Sequence, residues 1–312
     1  MTRRILITGA SGYVAGWLIS RLEQFPHLEL VLGSRSSNSA IRQHRQVHFD
    51  LAETTTFAAA LADIDAVVHL AGVNQADCVA SPNECRRINT RGTLELQRQA
   101  SHRGITHFIQ VSTIQVFGSP LPLRISSATA AKPSNVYSES YADIEAEASI
   151  FPAMRLDIVR LGNGFGYPLN SGACWHLALN DFCRQAAKVG EIRLASSGLQ
   201  QRNFVPIRAS VNFLAHLLVS STSSAPQSRQ WTLGSPQSQS VLSAAHSVAR
   251  RALLQFGREV VVVARDEQSA IAEEPSTLDL APIDALGFDT ESLGDAAHQQ
   301  MIDETLDHCG TL

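Results

Sequence analysis

Hydrophobic residues in the first half of the chain occur in short runs that alternate with segments of helical periodicity. The first run, Ile5–Ile7, leads through a glycine-containing turn into apolar residues at helical spacing, from Val14 to Leu22. Further runs that predict strands are 28–32, 47–51, 66–72, 108–112 and 157–161. Buried strands that alternate with helices form parallel sheets with helices on both faces. The pattern therefore predicts an α/β fold built on a doubly wound parallel sheet.

Helical patterns lie between these runs, and the order becomes irregular after Gly162. In the first half we expect an alanine-rich helix that Thr54 or Thr55 could cap, a long helix over 84–102 and a helix starting near Tyr137. In the second half we expect helices over 174–189 and 294–308 and strands at 192–195, 204–205 and 260–263. The predicted organisation is a dinucleotide-binding domain over 1–165, to which 203–235 return, and a smaller mixed α/β lobe for substrate over 166–202 and 236–312.

The turn after the first strand carries the strongest functional signal. Gly9 permits a sharp turn, Gly12 lets a pyrophosphate approach the backbone, and Ala15 lies where the helix packs closely on the strand. The helix that follows presents its N-terminus to the phosphates. Strand, glycine turn and helix in this order indicate a Rossmann-type dinucleotide site, although an ordinary strand-to-helix turn is the alternative. The candidate cofactor contacts here are Gly9, Ser11, Gly12, Tyr13 and Val14.

Composition narrows the possible partners. The net charge is −4 and no basic run is present, so the charge does not suggest nucleic acid or an anionic membrane surface as a partner. No apolar run approaches the ~20 residues that span a bilayer, and the start shows no signal peptide, so we expect a cytoplasmic protein. The five cysteines form no CxxC pair and have no zinc-ligand spacing. They predict free thiols in a reducing compartment and no metal site.

Several motifs follow the glycine turn in a fixed order. They are Asp50-Leu51, His69-Leu70-Ala71-Gly72, Asn89 within 89–93, Ser112-Thr113 within 112–118, Tyr137–Ser140, Arg160–Asn163 and Arg202–Val205. With Thr8–Ala15, this series resembles the extended short-chain dehydrogenase/reductase family, whose members include nucleotide-sugar epimerases, dehydratases and 4-keto reductases. The resemblance runs nearly from end to end of the chain. It implies a nicotinamide cofactor and hydride transfer at a sugar carbon.

The resemblance also implies roles for individual residues. Tyr137 is the expected acid/base, Thr113 hydrogen-bonds the same substrate oxygen, and Ser112 lies beside Thr113. Cofactor contacts are expected from Asp50, Leu51, Leu70, Ala71, Gly72 and Asn89. Asn163 and Arg202 are expected to hold the substrate, a nucleoside-diphosphate sugar. Family members commonly form homodimers through two long helices, for which 84–102 and 137–150 are the candidates.

The chain departs from the family at Tyr141. The family has a lysine there, one helical turn after the tyrosine, and its ammonium lowers the pKa of a phenol that is otherwise near ~10. Lys132 lies upstream in a loop and cannot take this place. Three interpretations remain open. The enzyme is slow or uses another proton carrier, a nearby arginine replaces the charge, or the protein binds nucleotides without turnover as a regulatory or interaction protein.

Two further positions bear on cofactor and reaction. Ser34 and Arg35 follow the second strand where NAD-using enzymes place a carboxylate, so NADP(H) is favoured over NAD(H). Dehydratases of the family carry Asp-Glu where this chain has Ile114 and Gln115, which makes 4,6-dehydration improbable. A C4 epimerase or a 4-keto reductase remains, and NADP preference points to the reductase. Reduction of a small non-sugar carbonyl is a further alternative.

Overall fold

A computed structural model of the protein describes residues 2–36, 43–147, 154–169, 174–220, 228–265 and 271–311. The strands are β1 (Arg3–Thr8), β2 (Leu28–Ser34), β3 (Arg45–His48), β4 (Ala66–His69), β5 (His107–Thr113), β6 (Arg124–Ile125), β7 (Arg155–Leu161), β8 (Asn163–Phe165), β9 (Glu191–Arg193), β10 (Gln201–Arg202), β11 (Phe204–Pro206), β12 (Ser228–Leu233), β13 (Gln239–Ser240), β14 (Val261–Val263) and β15 (Thr277–Leu278). The helices are α1 (Tyr13–Leu22), α2 (Phe57–Ala60), α3 (Gln75–Ala80), α4 (Pro82–Cys85), α5 (Thr93–His102), α6 (Val136–Ala146), α7 (Ala178–Lys188), α8 (Ile207–Val219), α9 (Val241–Phe256), α10 (Ala281–Asp284) and α11 (Asp295–Thr311). Each of the six apolar runs in the first half contains or overlaps a strand.

The central sheet has seven strands in the order β12-β7-β5-β4-β1-β2-β3. The pairs from β3 through β2, β1 and β4 to β5 are parallel. Thr8, the last residue of β1, pairs with Gly33 of β2 and with His69 of β4. The residues that follow these strands therefore emerge at one edge of the sheet, where ligands of doubly wound sheets bind. The predicted Rossmann-type α/β fold is confirmed.

The sheet owes its stability to a buried apolar layer on its face. Leu6, Val31 and Phe108 are fully buried in one cluster that also contains Phe49 and Phe57, whose rings stack with centroids 5.2 Å apart. Burying a large apolar side chain contributes about 1.5–3 kcal/mol. Leu6, Val31 and Phe108 come from three different strands of the sheet, whereas Phe49 follows β3 and Phe57 begins α2.

A charged cluster lies near the beginnings of β5 and β7. The Asp157 carboxylate is fully buried and accepts hydrogen bonds from His107 Nε2 at 2.8 Å, Arg155 Nε at 2.8 Å, Arg229 Nε at 3.1 Å and Trp231 Nε1 at 2.9 Å. We call these five residues the Asp157 cluster. Although burial opposes ionisation, the donors hold the pKa of Asp157 below its usual range. The charge is therefore retained and paired inside the protein.

The helices differ from expectation in three places. The helix predicted over 84–102 is helical throughout, but residues Arg86–Gly92 form a π-helix between α4 and α5. The cap predicted at Thr54 or Thr55 is wrong, because the 3₁₀ turn Thr54–Thr56 follows Glu53 without a side-chain cap and the α-helix begins only at Phe57. Helices α3, α8 and α9 were not expected from the hydrophobic pattern. None of the helices in the described stretches combines the length and apolar character needed to cross a membrane.

The chain divides into two compact units. The first consists of Met1–Ser119, Ala130–Arg160 and Val211–Trp231. The second consists of Pro120–Thr129, Leu161–Ser210 and Thr232–Leu312. Within the second unit, the short sheets pair β8 with β11, β9 with β14, β10 with β13 and β6 with β15.

Candidate active site

The glycine turn between β1 and α1 has the conformation that a phosphate-binding turn requires. Gly9 has φ +66°, and a Cβ there would lie 2.9 Å from the backbone nitrogen of Ala71. Only glycine fits this position, because the end of β4 passes directly against it. Gly12 donates its N–H to the Gly9 carbonyl at 2.8 Å and precedes α1 as its N-cap residue. A Cβ at Gly12 would lie 3.1 Å from the Gly9 oxygen, so the turn fits a dinucleotide pyrophosphate that needs a bare backbone.

The other predicted cofactor residues lie around the same edge of the sheet. Ser11 and Arg35 are exposed, whereas Tyr13, Val14 and Ser34 are partly buried. The Ser34 hydroxyl donates to the carbonyl of Ser36 at 2.5 Å. The Asp50 carboxylate accepts from the Ala52 N–H at 2.9 Å, so it caps the turn after β3. Leu51 is buried, and its carbonyl oxygen would lie 2.5 Å from a Cβ at Gly92.

His69, at the end of β4, is a structural residue of the first unit. Its Nδ1 is 2.7 Å from the Thr8 hydroxyl and its Nε2 is 3.0 Å from the Thr93 hydroxyl. Burial lowers the pKa of His69 to about 3, so the imidazole is neutral at physiological pH. The Thr8 hydroxyl also accepts from the N–H groups of Leu70 and Ala71 at 3.1 and 3.3 Å, which fixes the strand end beside the glycine turn.

Asn89 lies in the π-helix and ties several segments together. Its Oδ1 accepts from the Val73 N–H at 2.7 Å, while its Nδ2 donates to the Val73 carbonyl at 3.2 Å and contacts the Ser140 hydroxyl at 3.4 Å. Asn89 is buried, and a Cβ at Gly72 would meet its Oδ1 at 3.4 Å. Residues in π-helices often serve functional sites. Asn89 therefore links the segment after β4 to the helix α6 through its side-chain amide.

The expectation of free thiols is wrong for two of the five cysteines. Cys78 and Cys85 form a disulfide, whereas Cys174, Cys183 and Cys309 are free and buried. The short helices α3 and α4 meet at Ser81, where the backbone turns, and this brings cysteines seven residues apart to a Cα–Cα distance of 4.8 Å. A spacing of this kind has no recognised motif, so the bridge could not be read from the sequence.

Tyr137 and Tyr141 form a pair on α6, which we call the tyrosine pair. Asn135 caps the helix by accepting from the Ser138 N–H at 3.0 Å, and this places Tyr137 in the first turn. The two rings meet edge to face with centroids 5.1 Å apart, and the hydroxyls are hydrogen-bonded. The Tyr141 hydroxyl would lie 3.1 Å from a Cβ at Gly72. Tyr141 therefore reaches the end of β4, on the side of the turn where the resemblance expects the nicotinamide ribose.

Burial controls the acidity of the tyrosine pair. Burial raises the pKa of Tyr137, and the hydrogen bond with Tyr141 opposes this in part. Burial raises the pKa of Tyr141 well above its usual value, and the proximity of Tyr137 raises it further. Among the described residues, no arginine contributes to the pKa of either phenol. Both side chains are therefore neutral phenols at physiological pH in the protein without ligands.

Thr113 and Ser112 end strand β5 but face different partners. The Thr113 hydroxyl accepts from the Gln115 N–H at 3.2 Å and caps the 3₁₀ turn Ile114–Phe117. The Ser112 hydroxyl donates to Glu145 Oε1 at 2.6 Å, and Arg160 binds the other oxygen of that carboxylate at 2.6 Å. Glu145 was not singled out in the sequence, although it lies one helical turn after Tyr141 on α6. This buried ion pair anchors the helix that carries the tyrosine pair.

The predicted substrate residues belong to the second unit. Asn163 begins β8 and donates its backbone N–H to the Asn203 carbonyl at 2.7 Å. Arg202 is partly buried, and its Nη1 donates to the Gln201 carbonyl at 2.8 Å. Asn203, which the sequence reasoning did not single out, is buried and exchanges hydrogen bonds with the backbone of Ser235 at 2.8 and 2.9 Å. Asn203 therefore has a structural role beside the two candidate residues.

The sheet, the glycine turn and the strand ends define a Rossmann-type α/β protein. The chain belongs to the NAD dependent epimerase/dehydratase family, whose sequence profile matches residues 5–234. The predicted resemblance is thereby confirmed, and the family is one of enzymes.

Curated relatives carry two kinds of name. The mouse dTDP-D-glucose 4,6-dehydratase is 26% identical over 226 residues, which are 65% of this chain and 61% of that protein. The UDP-glucose 4-epimerase of Streptococcus mutans is 28% identical over 144 residues, which are 44% of this chain and 43% of that protein. The chain thus spans less than two thirds of the length of either relative.

Solved structures match nearly the whole fold. The UDP-glucose 4-epimerase of Thermus thermophilus, in complex with NAD, has a TM-score of 0.79 and 19% identity, with 98% of each chain covered. RMD from Pseudomonas aeruginosa, complexed with NADPH, has a TM-score of 0.77 and 21% identity, with 99% of each chain covered. At these identities the likeness concerns the fold.

Proposed function

We propose that the protein is an NAD(P)-dependent nucleotide-sugar oxidoreductase of the epimerase or 4-keto-reductase type, with Tyr137 as acid/base. The observation that carries this proposal is the tyrosine pair, because Tyr141 hydrogen-bonds Tyr137 and reaches Gly72 at the end of β4. The family and the names of its relatives support a nucleotide-sugar substrate. A nicotinamide cofactor, when bound, supplies or accepts the hydride.

The residues of the first unit would divide the remaining work. The Gly9–Gly12 turn and the start of α1 would hold the pyrophosphate, and Leu70–Gly72 would border the nicotinamide ribose. In the reducing direction Tyr137 gives its proton to the sugar oxygen, and Thr113 hydrogen-bonds the same oxygen. Tyr141 donates a hydrogen bond to the Tyr137 oxygen as it becomes phenolate, which stabilises that anion without a full charge. In this proposal Tyr141 takes over part of the role of the missing lysine.

Residues of the second unit and of the segment after β2 bear on the substrate and cofactor preferences. Asn163 and Arg202 of the second unit would bind the diphosphate of the sugar nucleotide, for which a guanidinium is well suited. Arg35 is exposed immediately after β2 and supports NADP(H), since a 2′-phosphate needs a cation and meets no carboxylate at Ser34 or Arg35. We also propose a homodimer formed through the predicted helices over 84–102 and 137–150, of which 148–150 lie outside the described residues.

Dehydration is disfavoured by the residues after Thr113. Ile114 is buried and apolar, and the Gln115 amide donates to the Gln75 side chain at 3.1 Å. Neither side chain can transfer the proton that elimination of water requires. This holds although several curated relatives are named as dehydratases. An epimerase or a 4-keto reductase is therefore the better proposal.

One observation favours a second candidate function. Because burial raises the pKa of both phenols and no cation among the described residues lowers it, Tyr137 is a poorer base than a tyrosine paired with lysine. A protein that binds the cofactor for a regulatory or interaction role, with little or no turnover, would tolerate this arrangement. A reductase of a small non-sugar carbonyl would tolerate it as well, if its carbonyl is easily reduced.

The deciding experiment separates binding from turnover. Purified protein is mixed with NADPH or NADH, cofactor binding is followed by fluorescence, and oxidation by absorbance after a 4-keto sugar nucleotide is added. Epimerisation of UDP-glucose is measured in parallel with NAD. We expect binding and turnover with a sugar nucleotide. Binding without turnover on any nucleotide sugar would favour the regulatory function, and turnover only with simple ketones would favour the third candidate.

A further inference from the structure

The disulfide Cys78–Cys85 lies in a surface segment with its sulfur atoms turned inward. Both cysteines are fully buried, whereas residues 79–84 between them are exposed. A bridge that only closed an eight-residue surface loop would not need contacts with the protein interior. The sulfur atoms of this bridge do have such contacts, and these contacts lead to the tyrosine pair.

Each sulfur touches a segment that the candidate site uses. The Asn89 Nδ2 is 3.6 Å from Cys78 Sγ and 3.7 Å from Cys85 Sγ. Cys78 Sγ is also 3.6 Å from the carbonyl of Val73, in the segment after β4. Cys85 Sγ is 3.9 Å from the carbonyl of Val136, the residue before Tyr137. The bridge thus packs against Asn89, the end of β4 and the start of α6 at once.

We propose that Cys78 and Cys85 form a redox-sensitive positioning pair that acts through Asn89 on the tyrosine pair. In the disulfide form the sulfurs hold the Asn89 amide, which in turn binds Val73 at 2.7 Å and Ser140 at 3.4 Å. Ser140 is the residue before Tyr141. The kinetic part of this inference rests on the proposed function, whereas its structural part does not.

The chemical step is thiol–disulfide exchange with a dithiol. A thiolate of the dithiol attacks one sulfur, the Cys78–Cys85 bond breaks, and a mixed disulfide forms. The second thiol of the reagent then closes its own disulfide ring and releases the other cysteine. Two electrons and two protons pass to the protein, which ends with two thiols, and the dithiol ends oxidised. Because the sulfurs are buried, the step requires local opening of the exposed segment around them.

Reduction must disturb the neighbours of the bridge. Nonbonded heavy atoms pack about 3.5–4.0 Å apart, so the two released sulfurs need more room than the bonded pair occupies. The site is fully buried, and that room comes from the Asn89 amide or from the backbone of Val73 and Val136. Each new S–H can donate to one of those two carbonyls. The Asn89 bond to Val73 is therefore weakened, and the phenol of Tyr137 is displaced with the start of α6.

The structural test is amide hydrogen exchange of Val73 on the full chain. Alkylation of a denatured portion of each sample, followed by mass spectrometry, first establishes the state, since three of the five cysteines should react in the oxidised protein and all five after treatment with dithiothreitol. Hydrogen exchange is then measured on the rest of each sample, which is kept under native conditions throughout. We expect Val73 to exchange at least about tenfold faster in the reduced protein, while amides of β1 and β2 are unchanged. Equal exchange of Val73 in both states overturns the inference, as does finding all five thiols free in oxidised protein.

The kinetic test uses the same two states in the assay of the proposed function. A displacement near 1 Å can lower a rate up to about a hundredfold. We expect kcat to fall about tenfold or more on reduction, whereas the KM for the cofactor should change much less, because the glycine turn proposed to hold the pyrophosphate does not contact the bridge. The double variant C78S/C85S should have the reduced rate and ignore dithiothreitol, whereas C309S should respond like the native chain. Faster exchange with an unchanged kcat overturns the positioning role; no turnover in either state defeats the proposed function alone.

Discussion

The Asp157 cluster and the tyrosine pair are two polar groups of the same unit with opposite electrostatics. Asp157 has four donors, two of them arginine side chains, and the pKa of its carboxyl is lowered in spite of burial. Tyr137 and Tyr141 hydrogen-bond each other, and burial raises the pKa of both phenols. The first arrangement keeps a charge in the interior, and the second keeps a proton. Stability is therefore expected to depend on the first group, and chemistry on the second.

The largest expected effect is the loss of activity in Tyr137→Phe. General acid/base catalysis contributes about 10²–10⁴-fold to a rate, and the variant lacks the proton that Tyr137 transfers. We expect kcat to fall within that range while the free energy of unfolding changes little. Turnover is measured with the preferred sugar nucleotide, and Tyr167→Phe in the second unit is the matched control. Unchanged turnover in Tyr137→Phe would remove this residue from the mechanism.

Asp157→Asn should have the next largest effect, on stability and not on the cofactor site. Removing one partner of a buried ion pair costs about 3–5 kcal/mol, because the remaining charges stay buried and unpaired. Here Arg155, Arg229 and His107 would lose their common acceptor. Urea unfolding gives the loss, with Glu29→Gln as a control that breaks the exposed pair with Arg4. A loss no greater than that of the control would show that the cluster does not stabilise the fold.

Acid should destabilise the first unit through His69. Its pKa is lowered from 6.5 to about 3 in the folded protein, so its stabilising contribution is complete above pH 6.5 and is lost as pH falls toward 3. For one such proton the free energy of unfolding falls by about 1.4 kcal/mol for each pH unit. Urea unfolding at several pH values between 7 and 4 measures this slope. His69→Gln should lower the slope by this amount, whereas His246→Gln, which removes an exposed histidine, should not.

Tyr141→Lys should have the smallest of the four effects and the opposite sign. An ammonium beside Tyr137 would favour the phenolate, and each unit by which the pKa of Tyr137 falls increases the phenolate fraction about tenfold at neutral pH. We expect the pH–rate profile to shift toward lower pH and turnover at pH 7 to rise about tenfold. Tyr141→Phe removes the hydrogen bond without adding a charge and should shift the profile the other way. A loss of activity in Tyr141→Lys would mean that the hydroxyl of Tyr141 has a role that an ammonium cannot fill.

Features with local signatures could be predicted from the sequence. Gly9 lies between a strand pattern and a helix pattern, and its positive φ and the contact with Ala71 are what that position implies. The strands of the first half could be predicted because each is buried and apolar. The helix cap at Thr54 or Thr55 was wrong because several threonines stand in a row, and Thr56 hydrogen-bonds the carbonyls of Asp50 and Glu53 instead.

Features that depend on distant parts of the chain could not be predicted. The Ser112 hydroxyl is bound by Glu145, 33 residues away, and only the packing of α6 on the sheet reveals this. The disulfide depends on the bend at Ser81, for which the sequence has no strong signal. The place of Tyr141 could be read as a departure from a motif, but its hydrogen bond to Tyr137 and its reach to Gly72 required coordinates.

The π-helix Arg86–Gly92 changes the rotational register between the helices α4 and α5. An α-helix turns about 100° per residue, and a π-helical turn carries one residue more than an α-helical one. A chain one residue shorter in this stretch would run as an ordinary α-helix. Relative to α5, the Cys85 side chain would then be rotated by about 100° around the helix axis. Asn89 would no longer face both the disulfide and Val73. The extra residue of the π-helical turn thus determines which side chains of this helical stretch face the tyrosine pair.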